Sequence, residues 1–194
     1  MVAQRSYLEN TYLGPGANTQ EHCYVINSRL SGEDITAHGG KVINATLGKR
    51  VFVGFNSFLR GSEQNPLTVG EGSIIMPHTI IDLDRPLEIP PHSLVWGLIH
   101  NAGDLVDNSI SLERLEKVDG ASYVGEMEFR GDGGIFVRAF RDRIQHILEA
   151  NGAFFDGEKF RGHAQKDQQI SFNTIQPYPE GEKKGIYPEI EIKP

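Results

Sequence analysis

Small segments of this chain return to an aliphatic residue every six positions: Leu13-Gly-Pro-Gly-Ala-Asn18, Leu47-Gly-Lys-Arg-Val-Phe52, Val53-Gly-Phe-Asn-Ser-Phe58, Val69-Gly-Glu-Gly-Ser-Ile74, Ile75-Met-Pro-His-Thr-Ile80 and Ile89-Pro-Pro-His-Ser-Leu94. A strand buried on one side repeats every two residues and an amphipathic helix every 3.6, so neither template fits. The hexad itself is the unit. Each supplies a short strand and a turn: the aliphatic residue faces a shared interior, and the small or β-branched fifth residue fits where two faces meet. Stacked coils of this kind bury one continuous core.

A longer echo agrees. Tyr24-Val-Ile-Asn-Ser-Arg-Leu30 recurs as Lys41-Val-Ile-Asn-Ala-Thr-Leu47, offset by 17 residues where three hexads give 18. The missing residue fits one shortened turn, since Leu47-Gly48 restarts the period early. Asn27 and Asn44 then stack one coil apart as turn residues. These hexads resemble those of the hexapeptide-repeat superfamily, whose fold is the left-handed parallel β-helix. The stretches Val42-Ile-Asn-Ala-Thr-Leu-Gly-Lys-Arg-Val-Phe-Val-Gly54 and Leu87-Glu-Ile-Pro-Pro-His-Ser-Leu-Val-Trp-Gly-Leu98 look most like the C-terminal β-helix of sugar-1-phosphate nucleotidyltransferases, with related acyltransferases a second likeness.

The expected architecture is therefore all-β: a left-handed parallel β-helix of four to five coils over 8–99, followed by a C-terminal α-helix and an extended tail. Polar breaks at Arg60–Pro66 and Asp82–Pro86 should loop outward from the scaffold. Residues 100–134 read as a linker that permits a short helix at 111–117. The segment 135–151 reads as an amphipathic helix with an apolar stripe of Phe136, Phe140, Ile144, Ile147 and Leu148, stopped by Asn151-Gly152. It needs a surface to cover, either a β-helix face or a neighbouring subunit. From 152 to 194 the chain turns polar and Gly/Pro-rich, extended or partly disordered, with one edge strand permitted around Ile190 and Ile192. Ile75, Ile80, Ile89, Val53 and Val69 are expected in the core, and Trp96 is expected to cap the end of the prism.

A net charge of −7 argues against nucleic acid or an anionic membrane as partner. The lone Cys23 excludes an internal disulfide and reads as a buried structural cysteine. No stretch approaches the length of a membrane helix, and no signal-peptide apolar core is present, which together point to a cytoplasmic protein.

Function is less sharply written. No Gly-rich phosphate loop accompanies the repeats, so nucleotidyl transfer is not expected of this chain alone. The segment Val95–Gly103 keeps one glycine of the coenzyme-contacting stretch that closes family acyltransferases, and the cofactor is left unknown. What the resemblance implies is a transferase acting on a sugar phosphate or nucleotide sugar, with acyl transfer from a thioester as the chemistry and a histidine as general base. The alternative is a noncatalytic binding or oligomerisation module related to the accessory β-helix of sugar nucleotidyltransferases. The resemblance also implies a homotrimer. His78 and His92 occupy the fourth, outward position of their hexads, and His38 takes the same place in the weaker hexad Ile35-Thr-Ala-His-Gly-Gly40. His78 is the first candidate base, with Asp82 downstream to orient it beside the 60–66 loop, and His38 is the second. The outward positions tolerate histidine, so a solvated turn is the competing reading for each. Arg138, Arg141 and Arg143 could meet a phosphate but alternate with Asp142 and Glu149, as a solvated helix face does. No metal site is expected: the gaps His22–His38, His38–His78 and His78–His92 are 16, 40 and 14 residues, not the spacing of three-histidine zinc sites on adjacent coils.

Overall fold

The computed structural model describes residues 1–150 and two short strands, Phe155–Asp156 and Lys159–Phe160. The remainder of the 152–194 tail, with Asn151-Gly152 and the Ile190/Ile192 strand, lies outside the described residues. The repeats form a parallel β-solenoid of about five turns, the left-handed β-helix of hexapeptide-repeat proteins.

Its first face carries Tyr7–Glu9, Tyr24–Ile26, Lys41–Ile43, Phe58–Arg60, Ile80–Asp82 and Leu98–Ile99. The second carries Tyr12–Leu13, Arg29–Leu30, Ala45–Leu47, Leu67–Val69 and Glu88–Ile89. On the third lie Asn18–Thr19, Ile35–Thr36, Phe52–Val53, Ile74–Ile75 and Ser93–Val95, with Ser109–Ser111 added antiparallel at the end.

Register explains the hexad. The first positions Leu47, Val53, Val69, Ile75 and Ile89 all point inward and are at most 1% exposed. Fifth positions are the small residues Cys23, Ser57, Ser73, Thr79 and Ser93, all buried at corners. Burial pushes the Cys23 thiol up to about 11, and its Sγ donates to the Ala37 carbonyl at 3.2 Å. Fourth positions turn the corner with positive φ: Asn56 (53°), Gly72 (67°), His78 (61°) and His92 (55°). The sixth position points outward, and this corrects the expectation for Ile80. It is 41% exposed on the bare first face, while Ile81 takes the interior place beside Leu59. A one-residue step along a strand moves a side chain to the opposite side.

The 17-residue spacing has a definite location. Inward residues Val25, Leu30, Thr36 and Val42 are separated by five, six and six positions, so the short turn lies between the first and second faces. There Asn10, Asn27 and Asn44 all adopt left-handed φ of 46–49°, which asparagine tolerates. Asn10 Nδ2 donates to Asn27 Oδ1 at 3.0 Å. Both irregular loops leave from this same corner, and Asn65 of one donates to the Asp84 carbonyl of the other.

A second core lies outside the prism. Ile35, Phe52, Ile74, Leu94 and Trp96 project outward from the third face and are buried by the C-terminal segment. That segment is richer than a linker. Helix α1 (Ala102–Asp107) places Leu105 against the interior, so Leu105 rather than Trp96 closes the prism. Trp96 instead packs edge-on against Phe129 at 5.4 Å. Helix α2 (Leu112–Glu116) begins at Ser111, whose hydroxyl accepts from Arg114 N–H at 3.2 Å. A hairpin of Asp119–Val124 and Met127–Asp132 leads into α3 (Gly133–Ala150). Gly133 is required: a Cβ there would fall 1.8 Å from the Leu115 carbonyl oxygen. The buried stripe of α3 is Val137, Ile144 and Leu148, with Phe140 and Ile147 packed beside it, whereas Phe136 is 40% exposed. Phe140 meets Phe52 edge-on at 5.3 Å, so α3 covers a face of its own chain.

Candidate functional site

The corner between the third and first faces collects His38 and His78, two of the three candidate histidines, together with His22. Its backbone is a ladder in which the N–H of each left-handed residue donates to the coil before: Gly39 to Glu21, Asn56 to His38 and His78 to Phe55, at 2.9–3.0 Å. His38 does not take the left-handed place. The inward residue of its hexad is Thr36, not Ile35, so Gly39 makes the turn (φ 71°) and His38 falls one position earlier. That shift matters chemically, because it puts His38 in the column of Glu21 and Phe55.

Glu21 Oε2 lies 2.7 Å from His38 Nδ1, and the Phe55 ring stacks on the imidazole at 5.6 Å with 12° between planes. A carboxylate this close favours the tautomer that carries its proton on Nδ1 and leaves Nε2 free to take one. The His38 and Glu21 side chains are 53% and 33% exposed, so the imidazole is open to a ligand while its orienting partner is partly shielded. Gly39 makes room for the Asn56 side chain of the next coil, since a Cβ there would sit 2.2 Å from Asn56 Oδ1.

His78 stands at the same corner, but its side chain has no hydrogen-bond or ion-pair partner among the described residues. Asp82 is at the far end of strand Ile80–Asp82, where the first face meets the second. Its carboxylate binds Arg60 Nε at 2.6 Å, and its carbonyl meets His100 Nδ1 at 3.1 Å. The structure therefore separates His78 from both Asp82 and the 60–66 loop. Glu21 was not singled out from sequence. The available signal was the 17-residue offset between Glu21 and His38, which places them on neighbouring coils.

A cavity of about 290 Å³ opens at the corner between the second and third faces, bounded by Arg50, His92 and Arg141. His92 and Arg141 are separate features in the sequence and meet here only because α3 docks on the third face. Among the described residues no group of three or more histidine, cysteine, aspartate or glutamate side chains is placed to hold a metal ion. None of the described helices is long and apolar enough to cross a membrane.

The fold and corner site define a hexapeptide-repeat β-helix with an oriented surface histidine. Among solved structures, the chain is similar to a protein from Desulfovibrio desulfuricans G20 provisionally named an acetyltransferase, with 58% identity and a TM-score of 0.81. The match covers 93% of this chain and 38% of that one, so this chain spans well under half of its relative's length. A hexapeptide-repeat acetyltransferase from Vibrio cholerae aligns over 48% of this chain and 69% of its own, at 12% identity and a TM-score of 0.28, too distant to bear on the argument. No protein-family model and no curated protein matches the chain.

Proposed function

We propose that this chain is the β-helix of an acyltransferase in which His38, held by Glu21, is the general base. The 2.7 Å contact between Glu21 and His38 carries the reading. In the reaction, His38 Nε2 takes the proton of an acceptor hydroxyl as its oxygen bonds to the carbonyl carbon of an acyl thioester. The carbon–sulfur bond then breaks and the sulfur leaves with the proton from the imidazolium. The acceptor class is a sugar phosphate or nucleotide sugar, following the likeness of the repeats to sugar nucleotidyltransferase β-helices. His78, at the same corner, stands ready to contact the acceptor rather than to act with Asp82.

A homotrimer, working in the cytoplasm, is part of the proposal. The bare first face presents the outward column Tyr7, Tyr24, Lys41, Phe58, Ile80 and Leu98, in which Tyr7, Tyr24, Ile80 and Leu98 are each 41–51% exposed and Lys41 alone interrupts the apolar run. Exposed apolar surface of this kind marks an association site. A neighbour packed there borders the His38 corner and walls a cleft over it. One observation favours the noncatalytic alternative: the chain matches 38% of its relative, so the chemistry can reside elsewhere in such a protein.

A thermal-shift screen with acyl coenzymes, sugar phosphates and nucleotide sugars identifies donor and acceptor, since a ligand that prefers the folded state raises the melting temperature. Thiol release is then followed with the pair found. His38→Ala is expected to lose about a hundredfold to ten-thousandfold in rate. Equal rates for His38→Ala and the parent overturn the assignment.

A further inference from the structure

The cavity at the second/third corner belongs to neither the His38 corner nor either irregular loop. Its floor is apolar, made by Ile74, Leu112 and Ile144. Its polar wall is Arg50, His92, Arg141 and Glu71. Both guanidiniums are braced from one side. Arg50 Nη1 donates to Glu33 Oε2 at 2.7 Å and its Nη2 to Gln145 Oε1 at 3.1 Å. Arg141 Nη1 donates to Glu116 Oε1 at 2.7 Å. A guanidinium has five N–H donors. Those left over have no acceptor among the described residues, and neither has the His92 ring.

Gly72 makes the room. It is left-handed (φ 67°), and a Cβ on it would fall 2.5 Å from His92 Nδ1, so the imidazole lies directly over a residue with no side chain. Glu33 and Glu116 offset the two arginine charges from outside, so recognition rests on short directed hydrogen bonds rather than on a long-range field. Glu71 excludes a ligand that is anionic throughout and accepts from hydroxyl groups instead. The ligand that satisfies all walls has an oxyanion at one end, hydroxyls at the other, and a C–H face for the floor.

We propose that this cavity binds a sugar phosphate, with Arg50, Arg141 and His92 donating to the phosphoryl oxygens and Glu71 accepting from the sugar. The site lies at the opposite edge of the third face from His38, and it stands or falls independently of the acyl-transfer reading.

Calorimetric titration of the full chain in low salt tests it, with glucose 1-phosphate as probe and glucose and inorganic phosphate as separate arms. Glucose 1-phosphate is expected to bind, and Arg141→Gln and Arg50→Gln to weaken it at least tenfold while circular dichroism stays unchanged. Glu116→Gln breaks the same ion pair but keeps Arg141, and is expected to bind at least as tightly as the parent, which a merely structural role for that pair would not allow. Absence of binding overturns the proposal. So does equal affinity in Arg141→Gln, or glucose or phosphate alone binding as well as the sugar phosphate.

Discussion

Asp34 offers a quantitative test of how this β-helix is held together. It occupies a corner column otherwise filled by Ala17, Val51, Ser73 and Ser93, and it is fully buried. Its Oδ2 accepts from Gly32 N–H at 2.8 Å and its Oδ1 from Val51 N–H at 3.0 Å. Burial nevertheless outweighs these two bonds and lifts the carboxyl from 3.8 to about 7, with the neighbouring Glu33 charge adding to the rise. Folded and unfolded chains both hold the proton below about pH 4, where the contribution to stability is complete. Between about 4 and 7 only the folded chain holds it, so stability declines as pH rises; above about 7 the decline levels off. A shift of about three units at 1.36 kcal/mol each amounts to about 4 kcal/mol. For a chain of this size that is on the order of 10 °C in melting temperature. Asp34→Asn removes the titration but turns an amide N–H₂ toward a backbone N–H, at a cost of about 1–3 kcal/mol. Melting curves by circular dichroism from pH 4.5 to 8.5 should therefore converge or cross, with the parent ahead at low pH and the variant nearly independent of this group. Parallel curves for the two proteins would refute the argument, whatever the histidines contribute to both.

Leu59→Ala, at a fully enclosed interior position, is expected to destabilise by about 2–5 kcal/mol in denaturant melts; a loss under 1 kcal/mol contradicts a packed prism. Phe140→Ala removes the ring that meets Phe52 and should lower stability by about 2 kcal/mol, read as an earlier thermal transition. Ile80→Asp should leave monomer stability within about 0.5 kcal/mol but abolish self-association. In light scattering the parent is expected at three times the 21.6 kDa chain mass, and a parent that runs at the single-chain mass rules out the trimer. His78→Ala is expected to retain far more turnover than His38→Ala, and the reverse order would restore His78 as the base.

The interior was legible because its rule is local: one aliphatic residue per hexad, a small residue two places before the next inward one, and a left-handed turn just ahead of it. What the hexad could not say is which outward residues are covered. Ile74, Leu94 and Ile80 all hold sixth positions, yet the first two are buried and the third is bare, because α3 and α2 lie over only one face. The site was half legible for the same reason. Histidines at corners were visible, but the weak hexad around Thr36 hid a one-residue shift, and with it the Glu21 contact. The cavity between Arg50 and Arg141 depends on residues 91 positions apart that meet only after the helix docks.

The third face is buried on both sides: Ile35–Thr36, Phe52–Val53 and Ile74–Ile75 have no exposed residue, unlike the alternating strands of the first face. It is thus a party wall between two compartments that otherwise share little. The prism closes on itself and can survive detachment of the C-terminal layer, whereas that layer has no other surface against which to fold. Hydrogen exchange should divide accordingly, with α2 and α3 opening at lower free energy than the prism strands. Lifting them would dismantle the Arg50–Arg141 cavity while leaving the Glu21–His38 corner standing, so the two sites answer to different folding units of one chain.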